Sequence, residues 1–228
     1  MQLENVIPFG RSLDEYRQMF VLTEADLDGK ILSIADGPAS VNAELHAQGK
    51  NYISMDPLYR FGAKDIEAQF MRVADDVFQQ VEETLDKWVW NYHPTLAALK
   101  KQRQQVLQDF IADLPAGIEK KRYRVGELPH LELADNAFDL ALCSHFLFLY
   151  SELFDYAFHR DSIVELLRVA REIRIFPLLT LKQQRSPYLE PLLEELQKQA
   201  YSVSIEKVPY EFQKGGNEML RIGKLTGY

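Results

Sequence analysis

Apolar residues recur along this chain in two rhythms, short unbroken runs that suit buried strands and three- or four-residue steps that suit helices. Lys30-Ile-Leu-Ser-Ile-Ala35 is a short apolar strand that runs into the turn Asp36-Gly37-Pro38-Ala39-Ser40. The helix-like Val41–Ala47 follows, and a second strand, Asn51-Tyr-Ile-Ser-Met55, ends on Asp56-Pro57. Upstream, Ser12 and Glu15 form a capping-box pattern for a helix over 12–26, with Tyr16, Met19, Phe20 and Leu27 as its stripe. Ile66, Phe70, Val73, Val77, Val81 and Leu85 predict an amphipathic helix. Asn91-Tyr-His-Pro94 interrupts it, and Pro94 suits the first turn of a second helix. That helix carries Leu96, Leu99, Val106, Leu107, Phe110, Ile111 and Leu114, and Pro115-Ala-Gly117 is expected to end it. Arg122–Val125 reads as strand three and Phe138–Cys143 as a buried parallel strand four. Asp161 is expected to cap a helix over 162–171, before strand five at Glu172–Phe176, which Pro177 stops. A helix over 188–200 and strands at Ser202–Val208 and Met219–Leu225 complete the chain, and the Lys214-Gly-Gly-Asn217 turn makes the last two strands antiparallel.

This order predicts an α/β fold: a Rossmann-like, seven-stranded, mostly parallel sheet with helices on both faces and an antiparallel last strand. Residues 1–228 read as a single domain, with 60–114 as a helical insertion between strands two and three, because one crossover helix would suffice there.

Composition narrows the chemistry. A net charge of −8 argues against a broad phosphate-binding face, so nucleic acid is not the expected partner. Of the basic clusters Lys100-Lys101-Gln-Arg103 and Lys120-Lys121-Arg122-Tyr-Arg124, the first reads as the solvated face of the helical insertion. The lone Cys143 excludes an intrachain disulfide and suits a reducing compartment. No apolar run approaches the ~20 residues that span a bilayer, and no signal pattern opens the chain. A cytoplasmic location without membrane attachment is therefore expected. The five histidines show no paired ligand spacing, so no metal is expected.

Strand, glycine turn, helix, strand and acid, with Asp56 nineteen residues after Gly37, is the layout of a nucleotide-binding βαβ unit. The turn offers backbone N–H groups, and an acid at the tip of the second strand can accept both hydroxyls of a ribose. Asp36 faces a ligand's ammonium or caps the next helix. Gly126-Glu127 leaves strand three at the carboxyl edge of the sheet, and Ser144-His145 leaves strand four at the same edge. His145 is a candidate general base if an acceptor must lose a proton. Tyr59 and Tyr150 read as packing residues near the site.

Together these segments resemble the class I S-adenosylmethionine-dependent methyltransferase family over roughly residues 28–228. Ile31-Leu-Ser-Ile-Ala-Asp-Gly37 matches the glycine-rich first motif, Asp56 the ribose acid and Gly126-Glu127-Leu-Pro129 the adenine loop. Asp135-Asn-Ala-Phe-Asp-Leu-Ala-Leu-Cys-Ser-His145 resembles the fourth-strand segment, and Leu166–Arg171 the helix before strand five. The turn and the Asp56-Pro57-Leu58-Tyr59 strand end also resemble a methyltransferase-like branch of unassigned substrate. The resemblance implies S-adenosylmethionine as cofactor, held by Ala35, Asp36, Gly37, Asp56, Pro57, Gly126, Glu127 and Ser144. It implies methyl transfer, and the acidic composition favours a small-molecule or protein acceptor. The Val73–Leu85 stripe reads as the packing face of the insertion, with a lid or a dimer surface as its alternative uses. Ser33 replaces the usual strand-one acid, and Ala35 and Ala39 stand where glycines are usual. A non-catalytic module that has lost cofactor affinity is the alternative reading. A nicotinamide-dependent oxidoreductase is disfavoured, because Gly-x-Gly-x-x-Gly is absent.

Overall fold

A computed structural model describes residues 8–224 of the chain. Strands β1 (Lys30–Ile34), β2 (Asn51–Met55), β3 (Tyr123–Arg124), β4 (Phe138–Ser144), β5 (Ala170–Phe176), β6 (Tyr201–Lys207) and β7 (Glu218–Lys224) form one sheet in the order β3-β2-β1-β4-β5-β7-β6. β1 pairs parallel with β2 and β4, and β7 runs antiparallel to both its neighbours. This is the Rossmann-like sheet that the sequence predicts. Leu225, expected to end the last strand, lies outside the described residues.

Alternation along each strand sends side chains to opposite faces. Leu32, Ile34, Ala141 and Cys143 pack with α6 (Tyr156–Val169) and α7 (Leu189–Lys198) on one face. Ile31, Leu140 and Leu142 pack with α1 (Leu13–Phe20) and α3 (Val41–Ala47) on the other. The insertion is a third layer, with its own core of Phe70, Phe78, Leu107, Phe110 and Tyr123 between α4 (Ala63–Glu82) and α5 (Leu96–Glu119). No helix among the described residues is long and apolar enough to cross a membrane.

Several boundaries differ from expectation, each for a local reason. The first helix stops at Val21, which turns left-handed at φ 49°, and α2 (Glu24–Asp28) restarts under its own Thr23/Asp26 capping box. α5 begins after Thr95, whose hydroxyl accepts the Ala98 N–H at 3.0 Å, so Pro94 stays outside it. It then runs through Pro115 instead of ending there. The bond forfeited at the proline is outweighed by packing, because Leu114 is buried and Gly117 lies under the Tyr123 ring, where a Cβ would fall 2.3 Å from ring carbons. α6 is capped by Asp155, which accepts the Phe158 N–H at 2.9 Å, so Asp161 lies mid-helix. Residues 170 and 171 belong to β5.

The basic clusters also differ. Arg103 is buried instead of lying on the solvated face of the insertion, and Arg122 of the second cluster is buried as well. Arg122 forms a fork with Asp113 at 2.7 Å for each bond. Arg103 reaches across the molecule to Glu15, with bonds of 2.8 and 2.6 Å. Glu15 is fully buried and also accepts the Ser12 N–H and the Tyr210 hydroxyl, each at 3.0 Å. Burial alone would raise its pKa, but the Arg103 charge and hydrogen bonds hold it well below the usual carboxylate range. One carboxylate therefore joins α1, α5 and the loop before β7. The same loop grips the insertion through Trp88 stacked on Phe212, 4.7 Å between centroids.

Removing one member of a buried ion pair leaves the other charge uncompensated. Glu15→Gln is expected to lower unfolding free energy by roughly 3–5 kcal/mol, measured by urea denaturation. A loss under about 1 kcal/mol would show that the pair adds little.

Candidate functional site

Ligands in open α/β sheets bind beyond the carboxyl ends of the strands, where loops diverge. A cavity of about 870 Å³ lies at that edge. Ala35, Asp36, Gly37, Asp56, Pro57, Gly126, Glu127, Ser144 and His145 all line it, so the structure brings together every residue that the sequence nominates. The insertion roofs it with Val77, Phe78 and Val81. The apolar stripe of α4 is thus a packing and roofing face, while Leu85 is exposed outside the helix.

The first turn holds an unusual conformation without the usual glycines. Ala35 has φ 59° and Gly37 φ 56°. The Ala35 N–H donates to the Met55 carbonyl at 2.9 Å, which continues the β1–β2 pairing one residue beyond β1. Gly37 is fixed on both sides by the end of β2. Its N–H donates to Asp56 Oδ2 at 2.8 Å, and its carbonyl accepts the Tyr59 hydroxyl at 2.9 Å. Tyr59 is buried among Phe110 and Tyr123, so the packing residue of the sequence reading also positions the turn.

Asp56 is spent partly on the backbone. Its second oxygen accepts the Leu58 N–H at 2.7 Å. Burial raises its carboxyl to about 6, against the lowering effect of those two backbone bonds, and Asp36 and Glu127 push it further up. Each carboxylate oxygen accepts about two hydrogen bonds, so both retain one acceptor site. A cavity-lining acid oriented by two N–H groups fits a pair of ribose hydroxyls.

Asp36 corrects its expectation. Its side chain neither caps α3, whose N-cap Ser40 makes no side-chain cap bond, nor stands free for an ammonium. It is buried under hydroxyls of Tyr16 at 2.7 Å and Ser54 at 2.6 Å, with Ser33 as a third donor. Burial raises its pKa, and these hydroxyls oppose the rise.

Glu127 is exposed at the rim. His145 adopts φ 52°, and its N–H donates to the Phe176 carbonyl at 2.6 Å. Its Nδ1 lies 2.9 Å from Ser144 Oγ. Burial, with the charges of Arg11 and Arg103, holds its pKa well below the usual histidine range, so the ring is neutral and a weak base. Arg11, Arg103, Trp88 and Phe212 also line the cavity, and sequence reading assigned none of them to the site. Among the described residues, no group of three or more His, Cys, Asp or Glu forms a metal cluster.

No family model matches the chain. The uncharacterized protein MJ0045 of Methanocaldococcus jannaschii is 36% identical over 223 residues, spanning 97% of this chain and 98% of that protein. The chain belongs to the same family as MJ0045. Among solved structures it is similar to magnesium protoporphyrin IX methyltransferase of Synechocystis with bound S-adenosylmethionine, at 12% identity and TM-score 0.47, covering 93% of this chain and 77% of that one. It is also similar to an S-adenosylmethionine-dependent methyltransferase of Aquifex aeolicus, at 13% identity and TM-score 0.45, covering 91% and 90%. The strand order defines the fold independently of these likenesses: this member of the MJ0045 family is a seven-stranded Rossmann-like protein.

Two outcomes follow from the site. An aspartate whose folded pKa is raised binds its proton more tightly folded than unfolded, so its contribution favours the folded state at low pH and is lost as pH rises from about 4 to about 6. Wild type minus Asp56→Asn should show that falling slope in urea midpoints, and a flat difference would contradict it. Ala35→Gly should relieve the left-handed alanine and raise stability by up to about 1 kcal/mol, read by thermal unfolding.

Proposed function

We propose that this MJ0045-family protein is an S-adenosylmethionine-dependent methyltransferase acting on a small-molecule or protein acceptor. The observation that carries the reading is the convergence of Gly37, Asp56, Glu127 and Ser144, from the ends of four strands, on one cavity that continues under the insertion. Asp56 and Glu127 would hold the adenosine end, with the clamped Gly37 turn beneath the rest of the cofactor. When bound, the cofactor supplies a methyl group on a sulfonium, open to direct displacement by an acceptor lone pair.

This chain's own part is alignment and exclusion of water. The roof formed by Val77, Phe78 and Val81 encloses the acceptor side with apolar groups. Neutral His145, steadied by its backbone bond to Phe176, would orient the acceptor by a hydrogen bond, and its lowered pKa limits it to acceptors whose proton leaves readily. A largely apolar enclosure favours a small molecule or an inserted side chain over nucleic acid. The burial of Arg103 and Arg122 supports that preference, because it removes two cations from the basic clusters.

Isothermal titration with S-adenosylhomocysteine tests the reading. Micromolar binding is expected, weakened at least about 100-fold in Asp56→Ala, since charge-assisted hydrogen bonds are worth about 1.5–3 kcal/mol each. Hydroxyl donors need the ionised acid, so affinity should fall about tenfold per pH unit below about 6. Absence of binding up to millimolar ligand would favour the alternative, a non-catalytic module, which the engagement of the Gly37 N–H by Asp56 already accommodates.

A further inference from the structure

Charge is unevenly distributed in the cavity wall. Asp36, Asp56 and Glu127 line it at the strand ends, Arg60, Asp65 and Arg72 where the chain leaves β2 and enters α4, and Arg11 and Arg103 on another part. Arg103 is fully engaged by Glu15. Arg11 is not. Its Nε lies 3.8 Å from Glu15 Oε1, too long for a hydrogen bond, and that buried nitrogen has no acceptor. Its Nη1 donates to the Phe9 and Gly10 carbonyls at 2.6 and 3.3 Å. Its Nη2 has no acceptor among the described residues. Glu15 cannot easily supply more, because it already takes the Arg103 fork, the Ser12 N–H and the Tyr210 hydroxyl. His93 and His145, which face the same cluster, are both held neutral by burial. Two guanidiniums thus share one carboxylate, an excess of one positive charge in a mostly buried place.

The location of Arg11 is as informative as its charge. Its carbonyl accepts the Ser40 N–H at 3.1 Å, at the far end of the first turn. Gly10 lies so close over that turn that a Cβ would fall 2.0 Å from the Pro38 carbonyl oxygen. Segment 8–11 is therefore a flap seated on the Gly37 turn, with Arg11 reaching the cavity beside it. Elsewhere the same wall is apolar, with Phe9, Phe78, Trp88 and Phe212. Water in such a wall is a poor substitute for an ionic acceptor.

We propose that Arg11, backed by Arg103, is a carboxylate-binding site at this end of the cavity. One excess charge matches a monoanion, and the planar guanidinium fork matches a carboxylate. The proposal rests on the methyltransferase reading for its choice of ligand. The carboxylate comes either from the amino-acid end of the cofactor, which the seat on the Gly37 turn favours, or from the acceptor.

Titration of S-adenosylhomocysteine against its carboxamide separates the possibilities. The wild-type protein is expected to bind the acid about 10- to 100-fold more tightly than the amide, and Arg11→Ala to bind the two alike. Arg11→Lys, which keeps charge without the fork, should retain part of the preference. A general folding defect would weaken both ligands together and leave their ratio unchanged. If Arg11→Ala does not fold, the wild-type and Arg11→Lys ratios still decide. A wild-type preference that survives in both variants overturns the proposal. If wild type shows no preference, 2-naphthoate is titrated into protein saturated with S-adenosylhomocysteine. Binding weakened at least tenfold by Arg11→Lys then assigns the site to the acceptor's carboxylate, and no such dependence overturns it. If neither adenosyl ligand binds, the methyltransferase reading fails, and 2-naphthoate alone judges Arg11 by the same criterion.

Discussion

The Glu15–Arg103 pair is the fastening on which the rest of the architecture depends. Its partners lie 88 residues apart in the chain, and Tyr210, a further 107 residues beyond Arg103, donates to the same carboxylate. Other polar links join these parts two at a time, such as the Tyr92 hydroxyl to Asp14 at 2.6 Å and the Val89 N–H to the Phe212 carbonyl at 2.8 Å, whereas the Glu15 carboxylate touches all three at once. A fully desolvated fork fixes direction and distance at once. The roof over the sheet edge is therefore held in register by an ion pair outside the sheet.

The same wall separates two electrostatic environments. Around the β1–β2 edge, Asp36 is held by hydroxyls and Asp56 by backbone N–H groups, with no cation among the described residues paired to either. In the buried cluster between α1 and α5, two guanidiniums, Arg11 and Arg103, face the one carboxylate of Glu15. His145, held neutral, stands within the field of these two guanidiniums.

Much of this was legible in the sequence. The βαβ unit, both insertion helices and the seven strands follow from period, length and turn residues, and the nine nominated site residues share one cavity. What escaped was pairing across distance. Arg103 was read with its basic neighbours, yet it lies four residues after Leu99 and three and four before Val106 and Leu107, on the apolar stripe itself. That spacing was the available signal for burial. Asp36 escaped because its direction depends on strand register: Ser33 pairs opposite Ser54, and together they present hydroxyls to it. Ser33, read as the loss of a strand-one acid, is a partner of an acid three residues later. Asp161 was read as the cap of a helix over 162–171, although the helix begins at Tyr156, a turn and more earlier, under Asp155.

The clamp on Gly37 has a consequence for how such sites are recognised. Asp56 and Tyr59 grip that residue from both its amide and its carbonyl, so the second loop enforces a shape that glycines would otherwise have to permit in the first. The first loop is thereby relieved of its sequence signature and can carry alanines. A search by glycine spacing passes over this protein, whereas Asp-Pro-x-Tyr at the end of the second strand marks it directly. Information about one loop has been written into its neighbour.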